Sequence, residues 1–123
     1  MGLSSSRAAG ALVFLASCVM SPSVLAHAHL KQQTPAADSL VTAPRTLTLT
    51  FSEGIEPGFS GVVVTDAQKQ TIRTGAVKRD EKDKTQLNVS LDRELTPGTY
   101  QVDWYVVSVD GHKTKGSYHF SVK

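Results

Sequence analysis

The sequence predicts an all-β domain, a two-sheet antiparallel sandwich of about seven strands. Three observations lead there. Apolar and polar residues alternate at period two in several short segments, the pattern of half-buried strands. Turn signals built on Gly, Pro and Asp separate those segments. No segment repeats its apolar positions at helical spacing.

Residues 1–26 stand apart from that pattern. Arg7 lies in a short basic region, an apolar run extends from about Ala8 to Met20, and Val24-Leu25-Ala26 forms a small-residue cleavage site. The run is shorter than the ~20 apolar residues that span a bilayer. The expectation is therefore a secretory signal over 1–26 and one domain over 27–123, starting at His27, with no membrane insertion after cleavage. A domain of that size has room for a single core. Cys18, the only cysteine, falls in the signal, so an exported domain without disulfides is expected, as in a bacterial periplasm. A competing reading takes Leu15-Ala16-Ser17-Cys18 as a lipobox, which would make Cys18 the lipidated first residue. The charge is nearly balanced, with 13 basic against 11 acidic side chains in the whole chain, and the basic residues are scattered. That argues against a nucleic-acid partner, which requires clustered positive charge.

Along the domain, Pro35 and the small polar residues after it predict an edge strand and a loop. Leu47, Leu49 and Phe51 share one face of a strand, and Ser52-Glu53-Gly54 with Pro57-Gly58 marks the next loop. Phe59–Thr65 reads as a valine-rich strand, Asp66–Lys69 as a hairpin turn, and Thr71–Val77 as a weaker strand broken by Gly75. The mixed charges of Lys78–Lys84 read as a solvated loop. Leu87, Val89 and Leu91 point inward from the following strand, and Pro97-Gly98 turns the chain. Tyr100, Val102, Trp104 and Val106 then alternate with polar or half-exposed neighbours. The last strand, Ser117–Lys123, sets Tyr118, Phe120 and Val122 against Ser117, His119 and Ser121.

Candidate chemistry sits at Asp110-Gly111-His112, where Gly111 supplies the backbone freedom of a tight turn and a carboxylate and an imidazole can converge. An isolated turn of this kind is ordinarily only solvated. Cleavage before His27 changes its meaning, because an N-terminal histidine chelates through its α-amine and ring Nδ1 together. With His112 opposite and Asp110 supplying oxygen, the donors form a tetragonal N,O set suited to Cu(II). Zinc would take the same nitrogens, more often in a tetrahedral shell. A histidine after a cleavage site can also be accidental. His29, third from that terminus, offers a rival mode through the amine, two deprotonated backbone amides and its own ring. His119 reads as a surface residue.

Several segments resemble the CopC family of periplasmic copper-resistance proteins. These are His27-Ala-His-Leu-Lys31, Leu47-Thr-Leu-Thr-Phe-Ser-Glu53, Pro97-Gly-Thr-Tyr-Gln-Val-Asp-Trp104 and Val107-Ser-Val-Asp-Gly-His-Lys-Thr-Lys-Gly-Ser-Tyr-His-Phe120. The resemblance implies a seven-stranded, immunoglobulin-like Greek-key sandwich and one Cu(II) per mature chain, held by His27, Asp110 and His112. It also implies Glu53 as a nearby acid and a CopD-type inner-membrane protein as partner, while His29, from its place beside the terminus, is an alternative accessory group. One departure stands out. Some members carry a second, methionine-rich Cu(I) site, whereas Met1 and Met20 are this chain's only methionines and both precede His27.

Three functions compete on this reading. The leading one is a copper carrier or buffer with no catalytic role. A copper monooxygenase of the lytic polysaccharide type also uses an N-terminal histidine, but it needs a broad binding platform that a domain of this length leaves little chain to build. An adhesive sandwich with a fortuitous histidine would bind copper no better than a generic peptide.

Overall fold

The computed structural model describes residues 28–123. The expected signal, with Cys18 and the cleavage site, and His27 itself lie outside the described residues. Among the described residues, nine strand segments form two sheets: β1 Leu30–Thr34, β2 Leu40–Val41, β3 Thr46–Phe51, β4 Gly61–Thr65, β5 Thr71–Ile72, β6 Lys78–Arg79, β7 Gln86–Ser90, β8 Gly98–Val107 and β9 Lys113–Val122. One sheet runs β1-β3-β7-β6 and the other β2-β9-β8-β4-β5.

The side-chain alternation read from the sequence builds the core. Leu47, Leu49 and Phe51 of β3 and Leu87 and Val89 of β7 are buried from one sheet. Tyr100, Val102, Trp104 and Val106 of β8 and Tyr118, Phe120 and Val122 of β9 are buried from the other. Phe51 meets Trp104 edge to face across the gap, with ring centroids 5.2 Å apart, and Tyr100 stacks on Phe120 within its own sheet. The Tyr100 hydroxyl donates to the Thr96 carbonyl at 2.7 Å, the arrangement of a tyrosine corner.

The two-sheet, all-β architecture is as expected, and its details differ. β2, β5 and β6 are two residues each, too short for periodicity to reveal, which raises the segment count above seven. The expected strand over Thr71–Val77 shrinks to Thr71–Ile72, and the charged run contributes Lys78–Arg79 to the edge beside β7. The sandwich is also not wholly antiparallel: β2 pairs in parallel with the end of β9, Leu40 beside Ser121 and Val41 beside Val122. That edge pairing rests on two residues, again below the reach of a pattern. Pro57–Phe59 forms a single 3₁₀ turn, so β4 starts at Gly61 and Phe59 is exposed. β9 begins at Lys113, four residues earlier than expected, because it pairs continuously with β8 from Val107–Lys113 to Gly98–Val122. No helix among the described residues is long and apolar enough to cross a membrane.

Candidate metal centre

The β8–β9 hairpin delivers the candidate ligands. β8 ends at Val107, and the chain turns through Ser108–His112 into β9. Two backbone bonds close the turn: Ser108 N–H donates to the His112 carbonyl at 2.9 Å, and Gly111 N–H to the Ser108 carbonyl at 2.8 Å. Gly111 has φ 92°, a conformation that L side chains rarely adopt, so the glycine in the middle of Asp-Gly-His is required by the backbone.

Within this turn Asp110 and His112 converge. His112 Nδ1 lies 3.1 Å from Asp110 Oδ1, with both side chains about half exposed. The same oxygen accepts the Ser108 hydroxyl and lies 3.4 Å from the His112 backbone N–H. These donors, the Ser108 hydroxyl first and the His112 ring next, hold the Asp110 carboxyl at about 2, well below its usual 3.8. The carboxylate is thus ionised at any physiological pH and oriented toward the imidazole. Two donors each about 2 Å from one metal ion, at right angles, lie about 2.8 Å apart. The observed separation is close to that spacing, so this N,O pair fits adjacent positions on a tetragonal ion.

The other candidate residues reach this end of the sandwich to different degrees. Ala28 is buried, and its carbonyl accepts the Thr114 hydroxyl at 3.1 Å, two residues beyond His112. His29 is exposed, and its backbone is tied to Ser52: its N–H donates to Ser52 Oγ at 2.8 Å, and Ser52 N–H donates to its carbonyl at 2.8 Å. Glu53 is partly buried in the adjoining loop, which packs on the turn through Val109 N–H to the Gly54 carbonyl at 2.9 Å and the Ile55–Ser108 bridge. His119 is exposed on the outer face of β9 opposite Gln101. Seven residues along a strand separate it from His112 by roughly 20 Å. Among the described residues no three His, Cys, Asp or Glu side chains converge on one point, so Asp110 and His112 stand there as a two-donor pair.

Ser108 is the residue that sequence reasoning overlooked. It is fully buried, and its hydroxyl joins Asp110 to the His112 backbone. The signal was present: the inward series Tyr100, Val102, Trp104, Val106 continues at the same period to position 108, placing a serine on the core face. A buried polar residue carries more information than a buried apolar one.

Known proteins share this arrangement of chain. The CopC domain family model matches residues 30–123. Protein YobA of Escherichia coli K12 is 57% identical over 114 residues, covering 92% of each chain. Among solved structures, PcoC, described as a methionine-rich copper resistance protein from Escherichia coli, superposes with a TM-score of 0.73 at 36% identity. The match covers 80% of this chain and all of PcoC. CopC from Methylosinus trichosporium OB3b gives a TM-score of 0.74 at 31% identity, over 79% of this chain and 94% of that one. With the family model spanning nearly all of the described sandwich, the chain belongs to the CopC family.

Proposed function

We propose that this protein is a periplasmic Cu(II)-binding protein that acts in copper resistance and homeostasis as a carrier or buffer. The observation that carries the reading is the 3.1 Å approach of Asp110 Oδ1 to His112 Nδ1 on a closed turn. Copper is the cargo, and the chain supplies a tetragonal N,O donor set: amine and ring of His27 after signal cleavage, the Asp110 carboxylate and the His112 imidazole. Cleavage between Ala26 and His27 creates the amine. His27 is one peptide bond from Ala28, which is anchored on Thr114 just past the His112 turn. To ligate through Nδ1, the His112 imidazole carries its single proton on Nε2, and Asp110 keeps a negative charge beside the divalent ion. Glu53, in the packed loop, serves as an accessory acid. A CopD-type inner-membrane copper protein is the expected recipient.

The backbone bond of His29 favours this site over the rival N-terminal mode. That mode needs the His29 amide deprotonated, whereas this amide donates to Ser52 Oγ at 2.8 Å. The similarity to PcoC supports a role in copper resistance, and the contrast in methionine content supports a single Cu(II) site here. The test is a Cu(II) titration of protein with His27 as its first residue, followed by EPR. One equivalent bound with a tetragonal nitrogen–oxygen spectrum is expected. Affinity no better than that of an unstructured peptide with the same first residues would contradict the proposal.

A further inference from the structure

Ser108 is 0% exposed, and it is the buried polar side chain of the described core. Burying a hydroxyl is costly unless its hydrogen-bonding capacity is used. The backbone of Ser108 already closes the hairpin and bridges to Ile55, and any residue could make those bonds. What the serine adds is its hydroxyl, and both of its close partners belong to the candidate site. Oγ donates to Asp110 Oδ1 and accepts the His112 backbone N–H at 3.3 Å. A hydroxyl has one proton to give and two lone pairs to accept with, so one side chain can serve both partners at once.

This matters because the Asp110 and His112 side chains are about half exposed. A solvent-facing aspartate samples several rotamers. The buried hydroxyl selects the one that turns Oδ1 toward the imidazole, and it fixes the His112 backbone that aims the ring. The Ser108 hydroxyl thereby links the core strand to the Asp110 carboxylate and the His112 backbone.

We propose that Ser108 is a positioning residue for copper capture, holding Asp110 and His112 in ligating register before the metal arrives. The inference rests on the proposed assignment of Asp110 and His112 as copper ligands. Groups that orient metal ligands typically change affinity by roughly 10–100-fold when removed.

The experiment compares wild type, Ser108→Ala and His112→Ala, each with His27 as its first residue. Folding is checked by amide NMR spectra, and the measurements are ring ¹⁵N NMR of metal-free His112, Cu(II) affinity and EPR. In metal-free wild type the His112 proton should reside on Nδ1. In Ser108→Ala the ring should spread over both tautomers while distant amide signals stay in place. Copper affinity should fall by roughly 10–100-fold with altered hyperfine splitting. A purely structural role would broaden or shift the whole amide spectrum without selectively changing the His112 ring, and that outcome overturns the proposal. So does a Ser108→Ala protein with unchanged ring signals and affinity while His112→Ala loses copper. If His112→Ala itself binds copper like wild type, the ligand assignment fails instead, and the metal-free ring spectrum still decides whether Ser108 positions His112.

Discussion

Asp110 Oδ1 and His112 Nδ1 stand 3.1 Å apart across Gly111, on a hairpin turn closed by the Ser108–His112 and Gly111–Ser108 backbone bonds. Asp110 also serves the turn, its Oδ1 accepting the Ser108 hydroxyl and lying 3.4 Å from the His112 backbone N–H, and its approach to the imidazole can be put to a further use. In the proposed site that use is to present an oxygen and a nitrogen at adjacent positions of one copper ion.

Substitutions should rank accordingly. His112→Ala removes a nitrogen ligand and should change the Cu(II) EPR parameters strongly. Asp110→Asn keeps the shape but deletes a charge and should weaken binding less. His119→Ala, on the outer face of β9, should alter neither spectrum nor affinity. EPR and competition titrations on the three proteins check the order. A spectrum unchanged by His112→Ala but abolished by His29→Ala would show that copper uses the N-terminal amides instead.

Acid titration of the metal-free protein should expose the Asp110 contacts. Its folded value is lowered to about 2, first by the Ser108 hydroxyl and then by His112. A lowered carboxyl contributes stability that is present above its unfolded value near 3.8 and is lost as the pH falls toward 2. Carboxyl ¹³C NMR should place the Asp110 midpoint near 2, and Asp110→Asn should lose less stability than wild type across that interval. A midpoint at the ordinary value would mean that the hydroxyl and imidazole contacts do not persist in solution.

Much of the fold was legible because burial follows a simple period. Leu47, Leu49, Phe51, Leu87, Val89 and the four inward residues of β8 alternate in the sequence and are buried in the structure. The two-residue segments at Leu40, Thr71 and Lys78 were not legible, since tertiary pairing at sheet edges creates them without a local pattern. Asp110 and His112 could be singled out by their spacing around a glycine, and the structure brings them together. Ser108 was not legible as part of the site because a serine is not a metal ligand by type, and its information lay in its place in the inward series. His27, the residue on which the sequence reading most depends, lies outside the described residues.

A packing prediction follows from the center of the β8–β9 pair. Gly116 lies directly across from Trp104, and a Cβ at position 116 would come within 2.6 Å of the indole ring. Gly116→Val should force the ring aside and cost about 1–3 kcal/mol. Urea unfolding followed by Trp104 fluorescence measures this. Stability equal to wild type would mean that the indole is not seated over the glycine.

Oxidation state should matter sharply. After residue 26 the chain contains no methionine or cysteine, so it offers Cu(I) only imidazoles, amines and hard oxygens. Anaerobic competition should show Cu(I) surrendered to a chelator of modest strength, while Cu(II) on the same sample is held firmly at one equivalent. A tight Cu(I) site coexisting with a filled Cu(II) site would contradict the single-site account.

The most direct test adds one residue before His27. The extension leaves every described contact in place, including the Ala28–Thr114 bond and the Ser108–Asp110–His112 turn, but it separates the terminal amine from the His27 ring. Mass spectrometry first establishes the N-terminus of each form, and parallel Cu(II) titrations then compare them. The account predicts normal folding and a large loss of Cu(II) affinity in the extended protein. Equal affinity in the two forms would contradict it.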